Sequence, residues 1–430
     1  MKSKKFLFVS KDSLSGDLAI QLLREGHEVK FYFEDRYSVD VYDGFLEKVS
    51  NWKVYQSWAD VIIFDDENFG YFADKLRKKN KRVIGGSKYT DRLETDRDFG
   101  QVELEKNGVK VASLWHFSDS GKAIDFVKKN PSRYVFKPSG DAQSGDKREV
   151  LVSHKEDGTD LIEFLQQNKR IITRKSPKFV LQKFISGVEV GVGAFFNGAD
   201  FIYPININFE HKHLFPKNLG PMTGEMGTLM FWSRKNKIFR LTLLKMKSAL
   251  RKSSYVGYID LNCIANEEGI FPLEFTSRFG YPTIQIQLSG ILSKTGDWLW
   301  KLVKGDRFQL STKKGFQIGV VVATPPLLSE GDDSEMVRMY RDLSINFKNG
   351  RISKNIHIGD VKKDKNDIWR IAGCSGWCLV VTGTGETVRR ARANAYQEIK
   401  NIRIPHMFYR SDIGSRWSLE RKKLKKWGYL

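Results

Sequence analysis

The chain has 430 residues, 40% hydrophobic and 29% charged, which describes a soluble globular polypeptide of two to four sub-domains and excludes an integral membrane protein. Its formal net charge of +21, from 72 Lys and Arg against 51 Asp and Glu, is more than a small-molecule enzyme needs. It implies attraction to something anionic, nucleic acid first, although excess lysine also keeps a protein soluble.

The opening Met-Lys-Ser-Lys-Lys-Phe-Leu-Phe-Val-Ser is followed at once by Lys11 and Asp12, which is too short for a secretory core. Phe6 to Val9 reads instead as a strand. A Ser/Gly-rich turn follows, then a helix carrying Leu18, Leu22 and Leu23, and a second strand from Val29 to Phe33. With further strands at Val61 to Phe64 and Arg82 to Ile84, the first unit is a small doubly wound α/β domain. Its first turn, Ser10 to Gly16, holds one glycine and no dinucleotide fingerprint. The three cysteines, Cys263, Cys374 and Cys378, make neither a disulfide framework nor a metal spacing, so a reducing cytoplasm is expected.

Asp91 to Asn107 reads as one charged amphipathic helix closed by Gly108 and carrying Arg97. Tyr134 to Lys137 is a strand delivering Lys137 into a loop, residues 139–147, whose Gly140, Ser144 and Gly145 can offer backbone N–H groups to phosphate. That loop is not a Walker A motif, because Asp146 stands where the lysine belongs. Phe179 to Phe196 is strand, turn, strand, with Gln182 and Glu189 as polar positions in an apolar run. His211 and His213 could share a strand face, but no third metal ligand is near in sequence. Arg234 to Lys252 reads as a helix whose Phe239, Leu243, Met246 and Leu250 face a core.

Tyr255 to Thr283 reads as two strands joined by the turn Ile264 to Gly269. The alternation has period two, so Tyr258, Asp260 and Asn262 share one face of the first strand, and Glu274 and Thr276 one face of the second. Two carboxylates brought together need a cation between them. Oxygen ligands in so small a number suit Mg²⁺ held also by phosphate oxygens, so a nucleotide-metal site is expected here. After Gly315 a third unit begins, with strands at Phe316 to Ala323 and Cys378 to Thr382 and a helix from Glu386 to Lys400. The tail from Trp417 to Leu430 mixes five basic residues with Trp417, Trp427 and Tyr429, as a charged terminal helix or a segment that tracks phosphates and stacks on bases.

A helix bearing a cation, a strand-borne lysine, a glycine loop, a polar hinge and then a carboxylate hairpin resemble, in that order, the ATP-grasp fold. More narrowly, three motifs resemble the phosphoribosylamine-glycine ligase family from about Gly85 to Arg416. They are His211-Lys212 with Gly220-Pro221-x-Thr223-Gly224-x-Met226-Gly227, then Glu274-Phe275 with Arg278-Phe279-Gly280, and last Tyr409-Arg410-x-Asp412-Ile413-Gly414-x-Arg416. The fold class implied is α/β (α+β): a doubly wound N-terminal domain (1–87), an ATP-grasp domain (88–310), a C-terminal α/β domain (311–416) and a basic aromatic tail (417–430).

The resemblance implies ATP and Mg²⁺ (or Mn²⁺) as cofactors, with Arg97 and Lys137 on phosphate, Gln182, Lys183 and Ile185 around adenine, and Glu189 on ribose. It implies Glu274, Asp260 and Thr276 as metal ligands, although Thr276 stands where the family has asparagine. Arg278 and Lys137 would stabilise transferred charge, and His211, Lys212, Thr223, Gly224, Met226 and Gly227 would border the substrate. An amino acid donor, an amine acceptor and no membrane partner follow. The acceptor half departs from the family. Lys11 to Gly16 replaces a Gly-Gly-Arg-Glu-His turn, Tyr281-Pro282-Thr283 replaces Asp-Pro-Glu, and Met222 and Glu225 replace an Asn and a Gly. An amine other than, or in addition to, phosphoribosylamine, such as a modified base in nucleic acid, is therefore expected as acceptor. A purine-pathway synthetase with an altered pocket, and a nucleic-acid-binding protein on an inactive fold, are the other readings.

Overall fold

The computed structural model describes residues 2–138, 150–175, 177–234, 236–325, 327, 334–348, 350 and 352–430. The chain begins with β1 (Lys5–Ser10), α1 (Gly16–Arg24), β2 (Glu28–Phe33), β3 (Val61–Phe64), α2 (Gly70–Lys78) and β4 (Val83–Ile84). The strands form a parallel sheet in the order β2-β1-β3-β4. Period two explains why β1 is apolar throughout. Phe6 and Phe8 pack with Leu18 and Leu22 on one face, and Leu7 and Val9 pack with Ala73 and Leu76 on the other.

The single helix expected over Asp91 to Asn107 is two helices, α3 (Lys88–Thr95) and α4 (Arg97–Lys106). Asp96 between them takes extended backbone, and its carboxylate accepts the Phe99 N–H at 3.0 Å. An aspartate so placed is an N-cap, which starts a new helix rather than continuing the old one. Arg97 is thereby the first residue of α4. Gly108, at φ +75°, follows the end of that helix as expected.

β5 (Leu114–Phe117), β6 (Tyr134–Pro138), β7 (Leu151–Val152) and β8 (Phe179–Lys183) make a small antiparallel sheet in the order β5-β8-β6-β7. The glycine loop expected at 139–147 lies outside the described residues.

The main sheet is built from β9 (Val188–Asn197), β10 (Phe201–Glu210), β13 (Gly227–Ser233), β14 (Val256–Ala265), β15 (Ile270–Thr276) and β16 (Phe316–Ala323). A two-stranded ribbon of β11 (His213–Phe215) and β12 (Leu219–Met222) lies between β10 and β13 in sequence. The order is β15-β14-β9-β10-β13-β16, continued by the strands Trp377–Gly385 and Ile356–Ile358, antiparallel at every pairing. The sheet thus runs straight through position 311, so the unit that begins after Gly315 shares its backbone hydrogen bonding with the strands before it.

Residues 234–252 are not one helix. Lys237–Leu241, a 3-10 turn at Leu243–Met246 and Lys247–Lys252 follow one another, interrupted at Thr242 by a non-helical backbone (φ −127°, ψ −98°). The expected apolar stripe is nevertheless buried. The C-terminal tail is the helix Trp417–Lys426 followed by a turn. Trp417 lies 5.2 to 5.5 Å from the rings of Phe209, Phe231 and Phe316, and Tyr429 is buried with its hydroxyl on Asn266 O. Edge-on aromatic pairs contribute about 0.5–1.5 kcal/mol each beyond area burial, and rings so used are withdrawn from base stacking. The tail is therefore packed structure with its lysines outside.

Candidate active site

The hairpin of β14 and β15 forms as expected. Asp260 faces Thr276 and Asn262 faces Glu274, with an irregularity just after Asn262. Its polar face is not a solvated surface. Asp260 and Asn262 are 6% and 4% exposed and line a cavity of about 540 Å³. Gly193 on the neighbouring β9 makes room for this face, since a Cβ there would lie 2.4 Å from Asp260 Oδ2.

Asp260 and Glu274 are held by different partners. Asp260 Oδ2 accepts from Tyr258 Oη at 2.7 Å and Asn208 Nδ2 at 2.8 Å. Burial raises its carboxyl to about 6 against the lowering effect of those bonds. Glu274 instead meets Lys212, which reaches in from the turn between β10 and β11. Lys212 Nζ lies 3.0 Å from Glu189, 3.3 Å from Glu210 and 3.1 Å from Glu274. Burial alone would lower the ammonium pKa, but Glu274, Glu210 and Glu189 override it and hold it well above its ordinary value. Asn262 Nδ2 braces the same cluster, donating to Glu189 at 2.9 Å and Glu210 at 3.0 Å. Burial brings Glu210 up to about 7, the neighbouring Lys212 notwithstanding. Glu189, expected on ribose, and Lys212, expected at the substrate, thus meet in one cluster with the expected metal ligand.

Arg97, at the start of α4, approaches Glu274 Oε2 at 3.9 Å and lines both this cavity and a narrow slot with Lys137 and Gln182. Lys137 Nζ donates to Gln182 Oε1 at 2.6 Å across the β6-β8 pair. Burial, then the nearby Arg97, lowers the Lys137 ammonium to about 8. The slot gathers Arg97, Lys137 and Gln182 as expected. Lys183 is exposed and Ile185 half-buried, and neither lines it. Arg278, expected to act on transferred charge, has its guanidinium Nε 3.0 Å from Glu67 and 3.1 Å from Glu94, so it ties β15 to the N-terminal domain and α3.

The loop from Gly220 to Gly227 folds back on His211 and Lys212. Thr223 donates through N and Oγ1 to Lys212 O, Met226 N donates to His211 O, and His211 N donates to Gly227 O. Gly227, at φ +148°, has room for no side chain, as a Cβ would stand 2.5 Å from Gly319 O. Met226 is fully buried, so its side chain packs in the core. His211 is buried with Nε2 accepting the Gly414 N–H, and burial lowers it to about 3, a neutral ring. His213 Nδ1 lies 2.9 Å from Gly220 O. The two histidines therefore do not converge on a metal. Among the described residues no group of three or more His, Cys, Asp and Glu side chains is arranged to hold one. The C-terminal motif buttresses this loop. Arg410, fully buried, grips Asp412 through two 2.8 Å bonds and donates to His213 O, while Arg416 Nη2 donates to Glu210 O at 2.8 Å.

Beside the first cavity lies a second of about 490 Å³, bordered by the first turn of the N-terminal domain and by Asp360 and Trp377 of the C-terminal unit. Gly224, Glu225, Arg278 and Tyr281 line both. Glu210 and Glu225 were not singled out as site residues from sequence. The signals present were a carboxylate ending β10 beside His211 and an acid where the family has glycine.

Residues 95–284 match the phosphoribosylglycinamide synthetase ATP-grasp (A) domain, and residues 344–416 match the C domain of the same synthetase, together more than half of the chain. A phosphoribosylamine-glycine ligase of Streptococcus pneumoniae is 26% identical over 363 residues, 82% of each chain. The crystal structure of phosphoribosylamine-glycine ligase from Thermotoga maritima superposes with a TM-score of 0.70 at 20% identity, covering 95% of this chain and 100% of that one. A biotin carboxylase domain of the Hydrogenobacter thermophilus 2-oxoglutarate carboxylase, solved with MgADP and bicarbonate, gives 0.66 at 11% identity over 94% of this chain and 91% of that one. No helix among the described residues is long and apolar enough to cross a membrane.

Proposed function

We propose that this chain, which belongs to the phosphoribosylglycinamide synthetase family of ATP-grasp ligases, joins the carboxylate of an amino acid, glycine or another, to an amine at the expense of ATP. The observation that carries the reading is the pair of adjoining cavities. One carries Arg97, Lys212 and Glu274, the other opens onto the N-terminal domain, and they meet at Gly224, Glu225, Arg278 and Tyr281. A carboxylate oxygen of the donor attacks the γ-phosphorus and the bond to ADP breaks, giving an acyl phosphate. The amine nitrogen then attacks the acyl carbon, phosphate leaves with the C–O electron pair, and the nitrogen gives up a proton.

The protein's part is positioning and charge neutralisation. Arg97 and Lys137 bind phosphate oxygens, and Gln182 beside Lys137 borders the adenine end. The donor set fits Mg²⁺ on one observation. Asn262 Oδ1 is buried without a hydrogen-bond partner on the same cavity wall as Glu274, its cross-strand neighbour. Glu274 and Asn262 would hold the ion, with phosphate oxygens as its remaining ligands. When bound, it neutralises phosphate charge. Asp260, tied to Tyr258 and Asn208, shapes the cavity wall behind them. A cytoplasmic setting suits these substrates.

The second reading, a glycinamide ribonucleotide synthetase of purine synthesis, is favoured by the family match, which spans both the ATP-grasp and the C domain. The test is hydroxamate formation from ATP, Mg²⁺, hydroxylamine and each amino acid in turn, because hydroxylamine traps an acyl phosphate whatever the natural acceptor. Hydroxamate with one amino acid and equimolar ADP is expected. Its absence with every amino acid would overturn the ligase reading. Phosphoribosylamine as the preferred amine would select the purine enzyme.

A further inference from the structure

The cavity beyond Glu225 has the wrong charge for a phosphorylated acceptor. Asp12, Asp35, Glu225 and Asp360 line it, and Arg278 is the one cationic side chain among its described lining residues. That guanidinium is already bound by Glu67 and Glu94. Lys11, 3.9 Å from Asp12, lines the other cavity, so among the described lining residues of this one no lysine or second arginine is left to receive a phosphate, in a chain whose net charge is +21. The basic excess lies elsewhere, and the pocket reverses it.

Two buried groups point to what belongs there. Glu225 is 6% exposed, its Oε1 accepts the Thr228 hydroxyl, and its other oxygen accepts from no described residue. Burial first, then Glu210, holds its carboxyl well above the ordinary range against the lowering effect of Lys212. Asp360 is 5% exposed and rests on the hydroxyls of Ser13 and Ser375, with no cationic partner among the described residues. Burial lifts it to about 6. The Tyr281 hydroxyl, on the wall shared by both cavities, is buried and without a partner. Its ring meets Trp377 edge-on at 5.5 Å, so the pocket wall between the carboxylates is aromatic. Carboxylates around aromatic faces recognise an ammonium through charge-assisted hydrogen bonds and cation–π attraction.

We infer that the acceptor is a small amine that carries a second, fixed positive charge and no phosphate, its ammonium held among Asp12, Glu225 and Asp360 while its other nitrogen reaches the acyl carbon. This rests on the ligase reading and names the substrate class of that same site. The reacting nitrogen enters neutral, having left one proton in solvent. It forms the C–N bond as the C–O bond to phosphate breaks, and passes its surplus proton to the departing phosphate. The ammonium at the far end does not react.

The experiment compares ADP release by the full chain with its amino acid donor and three amines: a short straight-chain diamine, its uncharged amino-alcohol counterpart, and phosphoribosylamine. Hydroxamate formation is run beside them. The diamine is expected to give a kcat/KM about tenfold or more above the amino alcohol, the worth of one charge-assisted contact, with phosphoribosylamine poorest. Hydroxamate together with preference for phosphoribosylamine, or with no gain from the second charge, overturns the acceptor while leaving the ligase intact. No hydroxamate with any amino acid overturns the ligase reading and the acceptor with it. Asp360→Asn supplies a second measure: the ratio of diamine product to hydroxamate should fall about tenfold, and an unchanged ratio removes Asp360 from recognition.

Discussion

Lys212 Nζ lies 3.1 Å from Glu274 Oε1, so the hairpin carboxylate nearest Arg97 is neutralised from within the protein. With Glu189 and Glu210 also in reach, one ammonium serves three carboxylates. Lys212→Met keeps the bulk and removes the charge. Breaking a buried pair by deleting one partner costs about 3–5 kcal/mol, and the urea midpoint should fall accordingly. Added Mn²⁺ should restore part of that loss in the variant and little in the parent, because the three carboxylates then accept a divalent ion. A midpoint equal to the parent's would show that Lys212 is not their counter-charge.

Glu274→Gln retains an oxygen facing the cavity and loses the charge. ADP release should drop by about 10²–10³-fold, the scale of one electrostatic contact that acts on the transition state. The Mg²⁺ concentration needed for half-maximal rate should rise as well. Turnover unaffected by the substitution would remove Glu274 from the metal site.

Lys137 carries the pH dependence of nucleotide capture. Burial and Arg97 bring its ammonium down to about 8, so in the free enzyme its charge is present below that pH and lost above it. kcat/KM for ATP should therefore decline as pH rises through about 8, well below the ordinary lysine range of about 10.4. Lys137→Arg keeps its charge and should abolish that limb. If the limb persists unchanged in the arginine variant, another group is titrating.

The hairpin was legible because period two is a local property: Asp260, Asn262, Glu274 and Thr276 fall on one face whatever surrounds them. What meets that face is not local. Lys212 and Glu210 arrive there because β9 pairs with β14 and β10 with β9 in the sheet, an order that no spacing in the chain encodes. Lys212, which meets Glu274 beside the expected metal position, lies 62 residues away from it in sequence. Asp96 misled in another way. Propensity carries a helix across one aspartate, whereas its side chain capped the Phe99 N–H and began a second helix. Trp417 and Tyr429 left a charged terminal helix and a stacking segment both open, because interleaved basic residues and rings look alike whether the rings face water or core. The depth of the C-terminal aromatic cluster was decided by Phe209, Phe231 and Phe316.

Arg410 and Asp412 make the last testable pair. The guanidinium is fully buried and returns two 2.8 Å bonds to one carboxylate, which also accepts the Lys217 N–H at 3.0 Å. Burial would raise Asp412, but the Arg410 and Lys217 bonds outweigh it and bring the carboxyl down to about 2. A folded-state value below the unfolded one, about 3.9, makes the pair's contribution complete above pH 4 or so and lost as pH falls toward about 2. Arg410→Met should cost about 3–5 kcal/mol at neutral pH, since Asp412 loses its partner and His213 O and Asn218 Oδ1 lose a donor. Because Arg410 anchors the ribbon that follows Lys212, the variant should also lose ADP release before it unfolds globally. Denaturant midpoints of Arg410→Met and the parent, taken from pH 7 down to pH 3, check the stability, and ADP release measured below the unfolding midpoint checks the effect on the site. Convergence of the two curves at low pH is the expected result, and a gap that stays constant would mean that Arg410 stabilises the fold by packing alone.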